Sequence, residues 1–200
     1  MNNSSILEIK NITKVYPGVT ALDDVDFSLS IGEITGLVGE NGAGKSTLMN
    51  VLGGVVKQTT GGIFLNGQNI SINNPNEAQK LGIYFIHQEP KLFLNRSILS
   101  NIYINQFPSF GGFIPYKDLE KEAWEILNEL GIGQLNVREN VEKLNVGERR
   151  LVEIARAMVG KDIKILIMDE PTAAIGEKET EILFDVIKKL SENNVSVIYI

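Results

Sequence analysis

The chain opens on alternation. Ile6, Leu7, Ile9, Ile12 and Val15 fall among polar residues and predict a strand over Ile6–Tyr16, closed by a turn at Pro17-Gly18. Val25, Phe27, Leu29 and Ile31 alternate strictly and predict a second strand. Gly32-Glu33 then turns the chain into Ile34–Val38, read as a short buried strand. A glycine-rich loop follows, and Leu48, Val51 and Leu52 switch the period to that of a helix. Ile63–Leu65, a turn at Asn66-Gly67 and Ile83–Ile86 restore strand patterning.

The middle of the chain changes character. Leu119, Ala123, Ile126, Leu127 and Leu130 share one helical face, with Gly131 placed to end the helix. Leu151, Ile154, Ala155, Met158 and Val159 predict a second helix. Strand returns at Ile163–Met168. Ile182, Leu183, Val186, Ile187 and Leu190 mark a long helix, and Val195–Ile200 a last strand. Strand–helix segments at both ends predict an α/β fold, a parallel sheet flanked by helices. The stretch between, roughly Glu89 to Gly160, reads as a helical insert. No internal repeat or low-complexity tract is present. The chain stops inside an apolar strand at Ile200, which reads as a fragment of a longer polypeptide.

Composition narrows the chemistry. The 200 residues carry 19 Lys+Arg and 25 Asp+Glu, a net charge of −6, which disfavours a dedicated nucleic-acid binder. There is no cysteine, so disulfides, thiolate catalysis and cysteine metal sites are excluded. The single histidine, His87, excludes a histidine-rich zinc site. No apolar run is bilayer-length, and Met1-Asn2-Asn3-Ser4-Ser5 lacks a basic region before an apolar core, so the default compartment is the cytosol.

Gly39-Glu40-Asn41-Gly42-Ala43-Gly44-Lys45-Ser46-Thr47 has the spacing Gly, four residues, Gly-Lys-Ser/Thr, and it lies between a strand and a helix. Glycines there let successive N–H groups converge on phosphate oxygens, and the helix that follows offers them its positive end. Lys45 is placed for the β- and γ-phosphates of a nucleotide and Ser46 for Mg²⁺. Ile165-Leu166-Ile167-Met168-Asp169-Glu170 puts two carboxylates at the C-terminal end of a strand, where open α/β sheets bind ligands. Asp169 is a candidate Mg²⁺ ligand, directly or through water, and Glu170 a candidate general base. Gln88, read as the end of the strand Ile83–Ile86, can ligate Mg²⁺ or orient a water, or be simply a surface glutamine. Tyr16 can stack on a base or simply pack. His87 is read as structural, its side chain opposite in direction to that of Gln88.

In this order, Tyr16, the phosphate loop, Gln88, Leu144-Asn145-Val146-Gly147-Glu148 and Ile165–Thr172 resemble the ATP-binding subunits of ABC transporters over essentially the whole chain. The resemblance implies a phosphate-loop NTPase core, a RecA-like mixed sheet with flanking helices, plus an ABC-type helical subdomain and an N-terminal antiparallel β region. Residues 1–88 and 161–200 would form the nucleotide-binding core, and 89–160 the helical subdomain with the signature loop. ATP would lie on Tyr16, Gly39, Asn41, Gly42, Ala43, Gly44, Lys45, Ser46 and Thr47. Ser46, Gln88 and Asp169 would hold Mg²⁺, and Glu170, Gln88 and Lys45 would carry catalysis. Leu144, Asn145, Val146, Gly147 and Glu148 would be the signature that meets ATP on a second ATPase half.

Finer features, Tyr16–Leu22, His87-Gln88-Glu89, Val152–Ala157 and Met168–Ala174, resemble the monosaccharide importer branch (ribose, galactose and xylose types), which purine-nucleoside importers share. That branch implies two tandem ATPase halves, of which this chain, with Lys45 intact, resembles the first. It also implies transmembrane permease subunits, an extracytoplasmic substrate-binding protein, and a place on the cytoplasmic face of the membrane. The family's switch histidine would follow Ile200 by about two residues. Asn145 and Glu148 stand where the family has serine and glutamine. Two unit charges at ~4 Å repel by about 4 kcal/mol at an effective dielectric of 20, so a carboxylate facing a γ-phosphate is unfavourable. The branch offers a resolution, because the first half's signature would face a degenerate second site. The competing classes are a soluble ABC ATPase without a membrane partner and a nucleotide-gated module with little turnover. The acidic charge and compact insert oppose the former, and Glu170 the latter.

Overall fold

A computed structural model describes residues 5–88, 90–104, 114–159, 162–172 and 175–200. Glu89, Gly160, Lys161, Ala173 and Ala174, which enter the sequence reading, lie outside the described residues. The chain divides into two compact units. Met1–Phe85, Asp162–Asp169 and Lys189–Ile200 form the first, and Ile86–Lys161 with Glu170–Lys188 the second.

The first unit contains an antiparallel sheet and most of a second, parallel one. Strands β1 (Ser5–Tyr16) and β2 (Val19–Ser30) make a long hairpin around Pro17-Gly18, where Gly18 takes the left-handed φ of +82°. With β4 (Thr60–Leu65) and β5 (Gln68–Ile70) they give the order β2-β1-β4-β5. The other sheet has the order β3-β8-β7-β6, built from β3 (Ile34–Gly36), β6 (Ile83–Ile86), β7 (Ile165–Met168) and β8 (Ser196–Tyr199). In it β8 runs parallel to both β3 and β7. All four residues of β7 are buried, as in a parallel strand covered on both faces.

Helix α1 (Lys45–Leu52) drives Leu48, Met49, Val51 and Leu52 into a core shared with Leu7, Ile9, Ile63, Ile165 and Ile198. That core fixes the start of α1 and therefore the phosphate loop before it.

The short strand after Gly32 departs from expectation. It ends at Gly36 rather than Val38, and it is not buried, since Ile34 is 48% and Val38 94% exposed. β3 is an edge strand paired only with β8, so its other side is not covered by a strand of this sheet. Likewise β6 stops at Ile86, so Gln88 does not end the strand, and strand alternation cannot assign the direction of His87.

The second unit is helical over α3 (Ile98–Ile102), α4 (Tyr116–Glu129) and α5 (Val146–Met158). Gly131, at φ +75°, follows the last turn of α4 as predicted. A short α2 (Pro75–Lys80) precedes β6, and α6 (Glu177–Glu192) leads into β8.

Candidate nucleotide site

The phosphate loop is shaped by backbone that only glycine tolerates. Gly42 and Gly44 have φ of +89° and +93°. A Cβ on Gly44 would also meet the Ala21 carbonyl oxygen at 2.5 Å, so both torsion and space require glycine there. Ala43 N–H donates to the Glu40 carbonyl at 3.1 Å, closing the turn. The Lys45 ammonium then folds back over the loop, donating to the carbonyls of Gly39 (2.6 Å) and Glu40 (3.0 Å).

Helix α1 begins at Lys45 with no side-chain cap and no acidic residue in its first turn. Its leading N–H groups therefore have no side chain of the N-cap residue to bond, and its first turn carries no carboxylate of its own. A cation, a glycine cradle and an uncapped helix start fit a polyphosphate. Ser46 is exposed on the first turn and Asp169 follows β7 half-buried, both in the first unit. Tyr16, at the end of β1, is 37% exposed, and the Lys14 ammonium lies 4.9 Å from its ring centroid. Among the described residues no three His, Cys, Asp or Glu side chains gather into a metal cluster. An ion at Ser46 and Asp169 would thus need oxygens from its ligand, the usual habit of Mg²⁺.

The second unit holds Gln88, Glu170 and the signature loop. Gln88 Nε2 donates to Glu170 Oε2 at 2.8 Å. Glu170 has φ +41°, whereas the other described non-glycine residues with positive φ are all Asn or Asp. Left-handed backbone costs a glutamate about 1–2 kcal/mol, and such strain concentrates at functional sites.

The signature loop is closed by its own side chains. Asn145 caps α5 by accepting from Glu148 N–H at 2.8 Å, and Glu148 Oε2 accepts from Asn145 N–H at 3.0 Å. The two departures from the family pattern thus form a reciprocal capping box. The Glu148 carboxylate is hydrogen-bonded to the backbone of its own loop. It is folded onto a helix N-terminus, where negative charge is favourable. Gly147 is needed for closeness, because a Cβ there would meet Glu179 Cγ at 2.6 Å. Replacing Asn145 by alanine is expected to cost about 1 kcal/mol, whereas Glu148→Gln, which can still close the box, should cost less. Urea denaturation of both variants checks the order.

The sequence reading assigned no role to Arg150 and no contacts to Glu153 and Arg156, which recur with it every three residues on α5. Arg150 and Glu153 are buried. Arg150 donates to the carbonyls of both His87 and Gln88. Glu153 accepts from Lys91 N–H at 2.6 Å, and Arg156 donates to the carbonyls of Asn101 (2.8 Å) and Lys91 (3.1 Å). Burial pulls the Arg150 and Arg156 guanidinium groups down from their usual range and pushes the Glu153 carboxyl up. The opposite charges beside them act the other way.

Comparison with known proteins gives the class. The ABC transporter family model matches residues 22–173, so the chain belongs to that family of ATP-binding proteins. It is 41% identical to a galactose/methyl galactoside import ATP-binding protein of Fusobacterium nucleatum over 199 residues, 100% of this chain and 39% of the relative. It is 44% identical to a ribose import ATP-binding protein of Caldanaerobacter subterraneus over 98% of this chain and 39% of that one. A galactofuranose transporter ATP-binding protein of Escherichia coli is 43% identical over 99% of this chain and 39% of its own length. The chain thus spans about two-fifths of the curated relatives it matches. Among solved structures it resembles an ATP-binding cassette of an ABC transporter in its ADP conformation. The TM-score is 0.84 at 29% identity, covering 98% of this chain and 80% of that one. The dimeric post-hydrolysis state of another cassette, bound to ADP and Pi, has TM-score 0.77 at 27% identity over 96% of this chain and 86% of that one.

Proposed function

We propose that the protein binds and hydrolyses ATP to energise uptake of a monosaccharide across the cytoplasmic membrane. The observation that carries this reading is the set of sugar-import relatives, 41–44% identical over nearly the whole chain, on a phosphate loop with its lysine intact. In this reading Tyr16 stacks on the adenine, and residues Gly39 to Thr47 hold the phosphates with Lys45 on the β- and γ-groups. Ser46, Gln88 and Asp169 would hold Mg²⁺, and the ion would supply positive charge against the phosphate oxygens. Glu170 takes a proton from the attacking water as its oxygen bonds to the γ-phosphorus and the bond to ADP breaks. Residues 1–88 with 161–200 do the nucleotide chemistry, and 89–160 present the signature.

The partners follow from the same reading. Leu144, Asn145, Val146, Gly147 and Glu148 meet ATP on a second ATPase half, tandem in the same polypeptide or on a second copy. The 61% of each relative outside the match has room for such a half (100 − 39). In this reading permease subunits supply the path through the membrane, fed by an extracytoplasmic binding protein. The protein then works at the cytoplasmic face of the membrane.

Uptake in intact cells tests the substrate class. Deleting the gene is expected to abolish uptake of one labelled monosaccharide, among ribose, galactose and xylose, and to leave purine-nucleoside uptake unchanged. Loss of nucleoside uptake alone would assign the protein to the other substrate of its branch.

A further inference from the structure

We propose that Arg150, on the helix behind the signature loop, is a positioning residue that sets Gln88 against Glu170. The proposal rests on the reading of Glu170 as the general base.

Arg150 is held at a cost that a merely solvated arginine would not meet. Its side chain is 3% exposed, and its Nε–H is buried without a hydrogen-bond partner. A buried donor left unmade is unfavourable, so the position must return something. What it returns is a fork over two consecutive carbonyls. One terminal nitrogen donates to the His87 carbonyl and the other to that of Gln88. The first also reaches Glu153 Oε2 at 3.1 Å, which fixes the plane of the guanidinium.

Pinning two successive carbonyls fixes the peptide plane between them. That sets the direction in which the Gln88 side chain leaves the backbone, and its amide then meets Glu170 Oε2 at 2.8 Å. The neighbouring contacts hold the same segment further along. Glu153 accepts from Lys91 N–H, and Arg156 donates to the carbonyls of Lys91 and Asn101. Arg150, Glu153 and Arg156 thus tie His87, Gln88, Lys91 and Asn101 to α5. The first turn of that helix carries the Asn145–Glu148 box. A shift of the signature helix is therefore carried by Arg150 to the backbone of Gln88, and by Gln88 to the carboxylate that would take the proton.

Steady-state kinetics on the full-length polypeptide test this. Arg150→Met keeps length and apolar volume but removes every donor. It is expected to lower kcat about tenfold or more while the KM for ATP stays within about twofold, since misplacing a catalytic group costs turnover rather than binding. Arg150→Lys keeps the charge but loses the fork, and should lower kcat by about threefold to tenfold. In a Gln88→Ala background neither change should lower kcat further, because the route is already cut. A merely structural arginine would instead lower the denaturation midpoint and leave kcat of the folded protein alone. Folded Arg150→Met with kcat within about twofold of wild type, or an equal further loss in the Gln88→Ala background, overturns the proposal. If Arg150→Met does not fold, Arg150→Lys decides, and an unchanged kcat overturns it. Glu170→Gln, run alongside, separates the two levels. If it turns over ATP normally, the general-base reading fails and the proposal with it. If it is inactive while the Arg150 variants are normal, only the positioning role fails.

Discussion

Replacing Glu170 by glutamine in the full-length polypeptide is expected to abolish ATP turnover and to leave ATP binding intact. The change keeps side-chain size and removes the ability to accept a proton. A positioned general base contributes about 10²- to 10⁴-fold, so phosphate release should fall at least about a hundredfold. Binding should persist because, in the proposed reading, the phosphates lie on Gly39 to Thr47 and not on Glu170. The local structure supports the assignment. Glu170 is held by the Gln88 amide at 2.8 Å and sits at φ +41°. A carboxylate that only ended a strand would relax to an ordinary torsion. Steady-state phosphate release and ATP affinity, measured on the same preparation, check this. Wild-type turnover in the variant would remove Glu170 from the essential machinery.

Lys45→Ala is expected to act on binding itself. A hydrogen bond to a charged group contributes about 1.5–3 kcal/mol, and tenfold in affinity is about 1.4 kcal/mol. ATP affinity should therefore fall by about tenfold to a hundredfold. The loop loses a strut as well, because Lys45 donates to the carbonyls of Gly39 and Glu40. Alanine is the best helix former, and Leu48, Met49, Val51 and Leu52 still anchor α1, so the helix should persist. Displacement of a fluorescent ATP analogue measures the loss, and circular dichroism shows whether α1 survives.

What the sequence made legible was local. The phosphate loop is nine consecutive residues between a strand and a helix, and spacing alone defines it. The long helices α4, α5 and α6 announced themselves by period, and alternation marked β1 and the second half of β2 but not its start at Val19. Short elements were lost. Helix α2 has only six residues and shows no apolar period, although Asn74-Pro75 with Glu77 is a helix-start signal: Asn74 Oδ1 accepts from Glu77 N–H at 3.0 Å. Helix α3 has five residues, starting at the Ser97 cap.

The capping box was in plain view as Asn145-x-x-Glu148, but comparison with the family's serine and glutamine made it look like a defect. Its physical content is that both pairs can close the same box. Long-range pairing was the real limit. Gln88 and Glu170 lie 82 residues apart, and Arg150 lies 62 residues from Gln88. No periodicity joins such positions. Arg150 in particular follows Glu148-Arg149, and a run of three charges reads as solvent-facing. Burial of a charge is a tertiary fact, decided by which backbone carbonyls the fold brings to it.

The central claim is that this chain carries a nucleotide site of its own. Calorimetric titration of Mg-ATP into the 200-residue chain tests it most directly. Saturable binding at one site per chain, weakened in Lys45→Ala and preserved in Glu170→Gln, is the predicted result. No saturable heat in the folded wild-type chain, or equal affinity in the Lys45→Ala variant, would contradict it.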